Sequence, residues 1–80
     1  MEVSILAFGI AKDIFSGPAT SMVLSRGATV GELKAALELK YSRLGLLVSY
    51  MIAVNNEYAQ DDLVISERDE IAIIPPVSGG

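Results

Sequence analysis

The stretch "DEIAIIPPVSGG" (Asp69–Gly80) decides how the whole chain is read. Ile71, Ala72, Ile73 and Ile74 are apolar without alternation, the pattern of a strand that can be covered on both faces and lie inside a sheet. Pro75 and Pro76 cannot donate to a sheet ladder and hold φ near the polyproline value. They end the strand and aim the last four residues away from the body. Val77 and Ser78 extend the reach, while Gly79 and Gly80 lack a β-carbon and can pass through a channel too narrow for other residues. A carboxylate on Gly80 is an acyl group that can be activated without any side-chain nucleophile. Such a tail suits chemistry inside another protein's active site. The competing reading is a frayed end of small residues.

Working back from the tail, "YMIAVNNEYA" (Tyr50–Ala59) predicts a strand, an Asn55-Asn56 turn and a returning edge, since asparagine tolerates the positive φ of a tight hairpin. "LVIS" (Leu63–Ser66) reads as a short strand or an extended piece. The clearest helix signal is Thr29-Val30-Gly31-Glu32, a capping box with Thr29 as N-cap and Glu32 reaching back to it. Val30, Leu33, Ala36, Leu37 and Tyr41 form an apolar stripe of helical period, with Lys34 and Glu38 spaced to pair in solvent. The helix is expected to end between Tyr41 and Leu44. "EVSILAF" (Glu2–Phe8) reads as the first strand, with Val3 and Ile5 on one face and Leu6 and Phe8 either on the other or shifting face at the strand end. "TSMVLSRG" (Thr20–Gly27) reads as the second. Between them, Ile10, Ile14 and Phe15 form either one helical turn or an apolar loop. The expected architecture is α+β, a mixed sheet on one main helix, with the last strand free to be central.

Eighty residues make one small domain, half of them hydrophobic. The chain contains neither cysteine nor histidine. Disulfides, thiolate metal sites, the common zinc sites and the Ser-His-Asp and Cys-His arrangements are thereby excluded. Six basic residues against ten acidic give a formal charge of −4, without a Lys/Arg cluster. A nucleic-acid partner is not expected, and a partner with a basic docking face is. "MEVSILAFG" (Met1–Gly9) carries an acid where a secretory signal is basic, and the longest apolar stretch, "LGLLVSYMIAV" (Leu44–Val54), is too short to span a bilayer. The expectation is a cytoplasmic protein with no membrane partner. That stretch reads as core, a second small apolar cluster or an oligomer contact.

With "TVGEL" opening the helix, "AVNN" at the hairpin, "DEIAIIPP" in the last strand and "PPVSGG" at the end, the chain resembles the MoaD-like sulfur carriers. These are small subunits of molybdopterin synthase, kin of the thiamine sulfur carriers and of ubiquitin. The resemblance implies a ubiquitin-like β-grasp over residues 1–76 and a flexible tail over residues 77–80. It further implies that an E1-like (MoeB-like) activating enzyme uses ATP to adenylate Gly80, and that a sulfur donor enzyme converts the adenylate to a thiocarboxylate. Gly79 lets the tail pass into the large (MoaE-like) synthase subunit, where sulfur goes to cyclic pyranopterin monophosphate. Pro75, Pro76, Val77 and Ser78 position the tail, and the family assembly is a heterotetramer on a large-subunit dimer. No metal or cofactor is expected on the chain, and alone it should catalyse nothing.

The resemblance also implies docking through an apolar patch of the sheet next to the tail. Phe8 and Ile74 occupy the family's apolar positions there, and Tyr58 and Ile65 fall near it by spacing. For Phe8, core and interface are equally open. Lys12 stands where relatives carry a basic residue facing partner carboxylates, or is a solvated surface charge. Asp61-Asp62 and Glu67, Asp69 and Glu70 match no EF-hand spacing and read as solvated turns, with Asp69-Glu70 lending acidic character near the patch. A carrier for thiamine or tRNA thiolation, a ubiquitin-like protein modifier, or a plain β-grasp interaction module would carry much the same sequence.

Overall fold

A computed structural model of the chain describes residues 1–47 and 49–75. Its frame is set by strand alternation. In β1 (Glu2–Ala7), Val3, Ile5 and Ala7 are buried and Glu2, Ser4 and Leu6 are not, so one face enters the core. The chain then makes a short helix, α1 (Ile10–Phe15), which settles the open reading of this segment in favour of a helical turn. Ser16 ends it in the left-handed conformation (φ 61°), and the Gly17 N–H returns to the Lys12 carbonyl at 2.9 Å. β2 (Ala19–Val23) runs antiparallel to β1 and stops four residues before Gly27, short of the expected span.

α2 (Val30–Lys40) forms where the stripe requires it, and Val30, Leu33 and Leu37 are its buried residues. The Thr29 hydroxyl accepts the Glu32 N–H at 3.2 Å. Half of the capping box is therefore present, and Glu32 itself stays exposed without a bond back to Thr29 among the described residues. Two further helix N–H groups go elsewhere: Val30 donates to the Leu63 carbonyl and Gly31 to the Asp61 carbonyl, both at 2.9 Å. A β-carbon on Gly31 would lie 3.3 Å from Asp61, so glycine is what lets this loop press against the helix start. Replacing Thr29 by Ala should cost about 1 kcal/mol, read as a lower urea midpoint at unchanged slope.

Past the C-cap residue Tyr41 the chain enters a 3-10 turn (Ser42–Leu46) that the sequence had not disclosed. It drops Leu44 into the core and leaves Leu46 exposed, which divides the long apolar stretch. β3 (Met51–Val54) turns through Asn55 (φ 54°) and Asn56 (φ 68°) into β4 (Glu57–Tyr58), a two-residue hairpin with both turn residues left-handed, as the asparagines require. Val64 makes a lone bridge to Thr29, so the Leu63–Ser66 segment is an extended piece. β5 (Ile71–Ile74) completes a sheet of order β2-β1-β5-β3-β4. It is parallel to β1 and antiparallel to β3, and it lies at the centre, as its apolar run predicts. The inner face packs on α2, with Ile5, Ile71 and Ile73 inaccessible to solvent.

The surface pairs differ from the expected ones. Lys34 Nζ lies 3.1 Å from Asp61 Oδ1 and bridges to the loop that caps the helix, instead of pairing with Glu38. Glu38 accepts the Tyr50 hydroxyl. Burial first, and then that hydrogen bond and the Glu38 and Asp61 charges, push the Tyr50 phenol well above its ordinary pKa. Tyr50 therefore keeps its proton as a donor across the physiological range.

Candidate functional site

The face of the sheet turned away from α2 carries the site. Register aligns Leu6, Ala72, Ala53 and Tyr58 in one row across β1, β5, β3 and β4. One step along toward Pro75, Ile74 pairs with Met51, and Phe8 lies two residues beyond Leu6. Leu6, Phe8, Ala53, Tyr58, Ala72 and Ile74 line a half-open depression of about 330 Å³, closed at its other end by Asn56 and Glu70. Phe8 is 46% exposed and Tyr58 68% exposed. These are large apolar surfaces held in water by strand alternation, because a β1 that buries Val3, Ile5 and Ala7 must turn Leu6 and Phe8 outward. Phe8 is thus on the surface face, not in the core.

The tail root adjoins this depression. Gly9 has φ 56°, and a β-carbon there would stand 3.1 Å from the Pro75 ring, so Pro75 lies directly over the Gly9 backbone. Lys12 comes one turn later on α1, exposed, with its N–H donated to the Gly9 carbonyl at 3.1 Å. Phe8, Ile74, Pro75 and Tyr58 are thereby gathered around one surface, and Lys12 is exposed on the helix that follows Gly9. Ile65 is not among them. It is 2% exposed and packed in the core, because the extended segment that crosses the start of α2 turns this side chain inward, and spacing alone gave the wrong face. Pro76, Val77, Ser78, Gly79 and Gly80, together with the expected boundary at residue 76, lie outside the described residues.

Sequence reasoning passed over Leu6, Ala53, Ala72 and Asn56 as lining residues, whereas Glu70 had been placed near the patch and does line it. Alternation would have found Leu6 and Ala72, since both share a face with positions already singled out. The hairpin ends could not be joined to β5 without the register. Among the described residues no three carboxylate, imidazole or thiol side chains converge as a metal site would need. Asp61 is engaged by Lys34, and Asp69 by a turn. The depression offers apolar area, one carboxylate and no nucleophile, which suits contact with another macromolecule.

The sequence pattern of the ThiS family matches this chain over residues 5–80. The chain belongs to the ThiS family. A relative named molybdopterin synthase sulfur carrier subunit, from Arabidopsis thaliana, is 35% identical over 100% of this chain and 84% of its own length. Among solved structures, a putative molybdopterin converting factor subunit 1 from Pyrococcus furiosus superposes with a TM-score of 0.88 at 21% identity, over 96% of this chain and 99% of that one. A chain in the complex of subunits 1 and 2 of the molybdopterin-converting factor from Helicobacter pylori gives a TM-score of 0.69 at 26% identity, with 100% of both chains covered. The fold is the ubiquitin-like β-grasp that the resemblance implied. No helix among the described residues is long and apolar enough to cross a membrane.

Proposed function

We propose that this ThiS-family chain is the sulfur carrier and small subunit of a molybdopterin synthase. The observation that carries the reading is the apolar outer face running from Tyr58 through Ala72 and Ile74 to Phe8, where it meets Pro75 at the root of the Gly-Gly tail. The name and full-length match of the Arabidopsis relative support the same pathway. Docking on that face would place the tail at a partner's active site.

The chemistry resides in the Gly80 carboxylate and requires Gly80 to end the chain. An E1-like activating enzyme attaches AMP from ATP, releasing pyrophosphate and leaving a reactive acyl carbon. Sulfur delivered at the sulfide level by a sulfur donor enzyme attacks that carbon, AMP leaves, and a thiocarboxylate remains. The face then seats on the large subunit, Gly79 threads the tail inward, and sulfur passes to cyclic pyranopterin monophosphate. Two such carriers on a large-subunit dimer would make the heterotetramer. Phe8, Tyr58 and Ile74 supply contact area, and Lys12 meets a partner carboxylate at the margin. The chain is a cosubstrate without a catalytic side chain of its own, and ATP is the cofactor of its activating enzyme.

Intact mass spectrometry with fragmentation tests this, after incubation with a MoeB-like activating enzyme, ATP and a sulfur donor. Exchange of one oxygen for sulfur at Gly80 is the expected product. Fragmentation is needed because each of the three methionines can gain an oxygen of the same nominal mass. An unchanged Gly80, with the activating enzyme shown active on another carrier, would overturn the carrier reading. A thiocarboxylate that no large synthase subunit consumes would redirect it to thiamine, tRNA thiolation or protein modification.

A further inference from the structure

The outer-face depression has an apolar end near Pro75 and a polar end at the β3–β4 hairpin, and the polar end is locked. Asn55 Oδ1 accepts the Glu70 N–H at 2.9 Å, and Asn55 Nδ2 donates to Asp69 Oδ1 at 3.0 Å. The Asn55 N–H donates to the Glu70 carbonyl at 2.7 Å. The second Asp69 oxygen accepts the Ser66 N–H at 2.8 Å, and the Asp69 N–H returns to the Ser66 carbonyl at 3.0 Å. The turn itself needs none of the Asn55 side chain, because glycine adopts its positive φ equally well. That amide is committed to tying the hairpin to the entry of β5. The two residues beside the clamp, Asn56 and Glu70, are the ones that close the depression.

We propose that Asn55 and Asp69 form a positioning clamp that pre-sets the polar rim of the docking face for the large synthase subunit. The inference rests on the proposed function. β4 is a two-residue edge strand that among the described residues pairs with β3 alone, so without the clamp Tyr58 and Asn56 are held by few bonds. A partner seating on a loose hairpin must order it on binding. A partner seating on a clamped one need not, and the difference appears in affinity.

The test is titration calorimetry of the full chain with the cognate large subunit, alongside steady-state sulfur transfer. Asn55→Gly keeps the turn and removes the clamp. It should weaken binding and raise the KM for the carrier about tenfold, with kcat unchanged. Asn55→Asp sets two carboxylates face to face and should weaken binding at least as much. Adding Asp69→Asn restores the same bonds with the donor on the other side, and the double variant should recover affinity. Wild-type affinity in both single variants would overturn the clamp. So would a fall in kcat and melting temperature at unchanged KM, the mark of a fold-wide effect. Failure of the double variant to recover binding while amide exchange at Glu70 is again slow would overturn it too. An unchanged chain that binds no large subunit would overturn the proposed function, and the clamp with it.

Discussion

A chain shortened to end at Gly79 should fold and melt as the full chain does, yet lose sulfur transfer by at least about a hundredfold. The last strand ends at Ile74, six positions before Gly80 in the sequence. Removing one residue draws the carboxylate back by about 3.5 Å. Misplacement of a reacting group by even 1 Å can cost about a hundredfold, so a full residue is more than the chemistry can absorb. Single-turnover product formation and the thermal midpoint, measured on the same preparation, separate the two effects. Transfer at the ordinary rate by the shortened chain would end the carrier reading.

The second large effect comes from two neighbouring isoleucines with opposite fates. Ile73 is inaccessible in the core, whereas Ile74 is partly exposed and lines the outer-face depression beside Phe8. An 80-residue domain is stable by only about 4–12 kcal/mol. Ile73→Asp removes a core side chain and buries a carboxylate without a partner, costs that together exceed about 5 kcal/mol. It should leave a largely unfolded chain by circular dichroism. Ile74→Asp should keep the fold and lower affinity for the large subunit by more than about a hundredfold, since the new charge must be desolvated on docking. If Ile74→Asp unfolds the chain, or keeps the fold and docks with unchanged affinity, the assignment of faces is wrong.

Much of this was legible in the chain. The apolar stripe from Val30 to Tyr41 gave the helix, paired asparagines gave the hairpin, and four apolar residues in a row gave a central strand, because each depends on local conformation or a fixed period. Alternation set Leu6 and Phe8 opposite Val3 and Ile5, and the structure shows that theirs is the outward face. What escaped was non-local. Ile65 was assigned to the wrong face because the Leu63–Ser66 segment is ordered by the start of α2 and not by a strand of its own. Lys34 had a suitable acid four residues away and took Asp61 instead, since the loop that caps the helix brings that carboxylate closer. The 3-10 turn at Ser42–Leu46 contains Gly45, which propensity reads as a stop. The Asn55 amide gives no hint in sequence that its partner lies fourteen positions away.

The central position of β5 also decides how the domain responds to a mechanical load. A load applied at Ile74 along the axis of β5 is shared by β1 on one side and β3 on the other. Such a pull loads both ladders in shear, so their bonds must yield together; a strand at the sheet margin pulled across its axis would unzip them one at a time. A tail held fast in a partner's active site can therefore be tugged without unravelling the body that carries it.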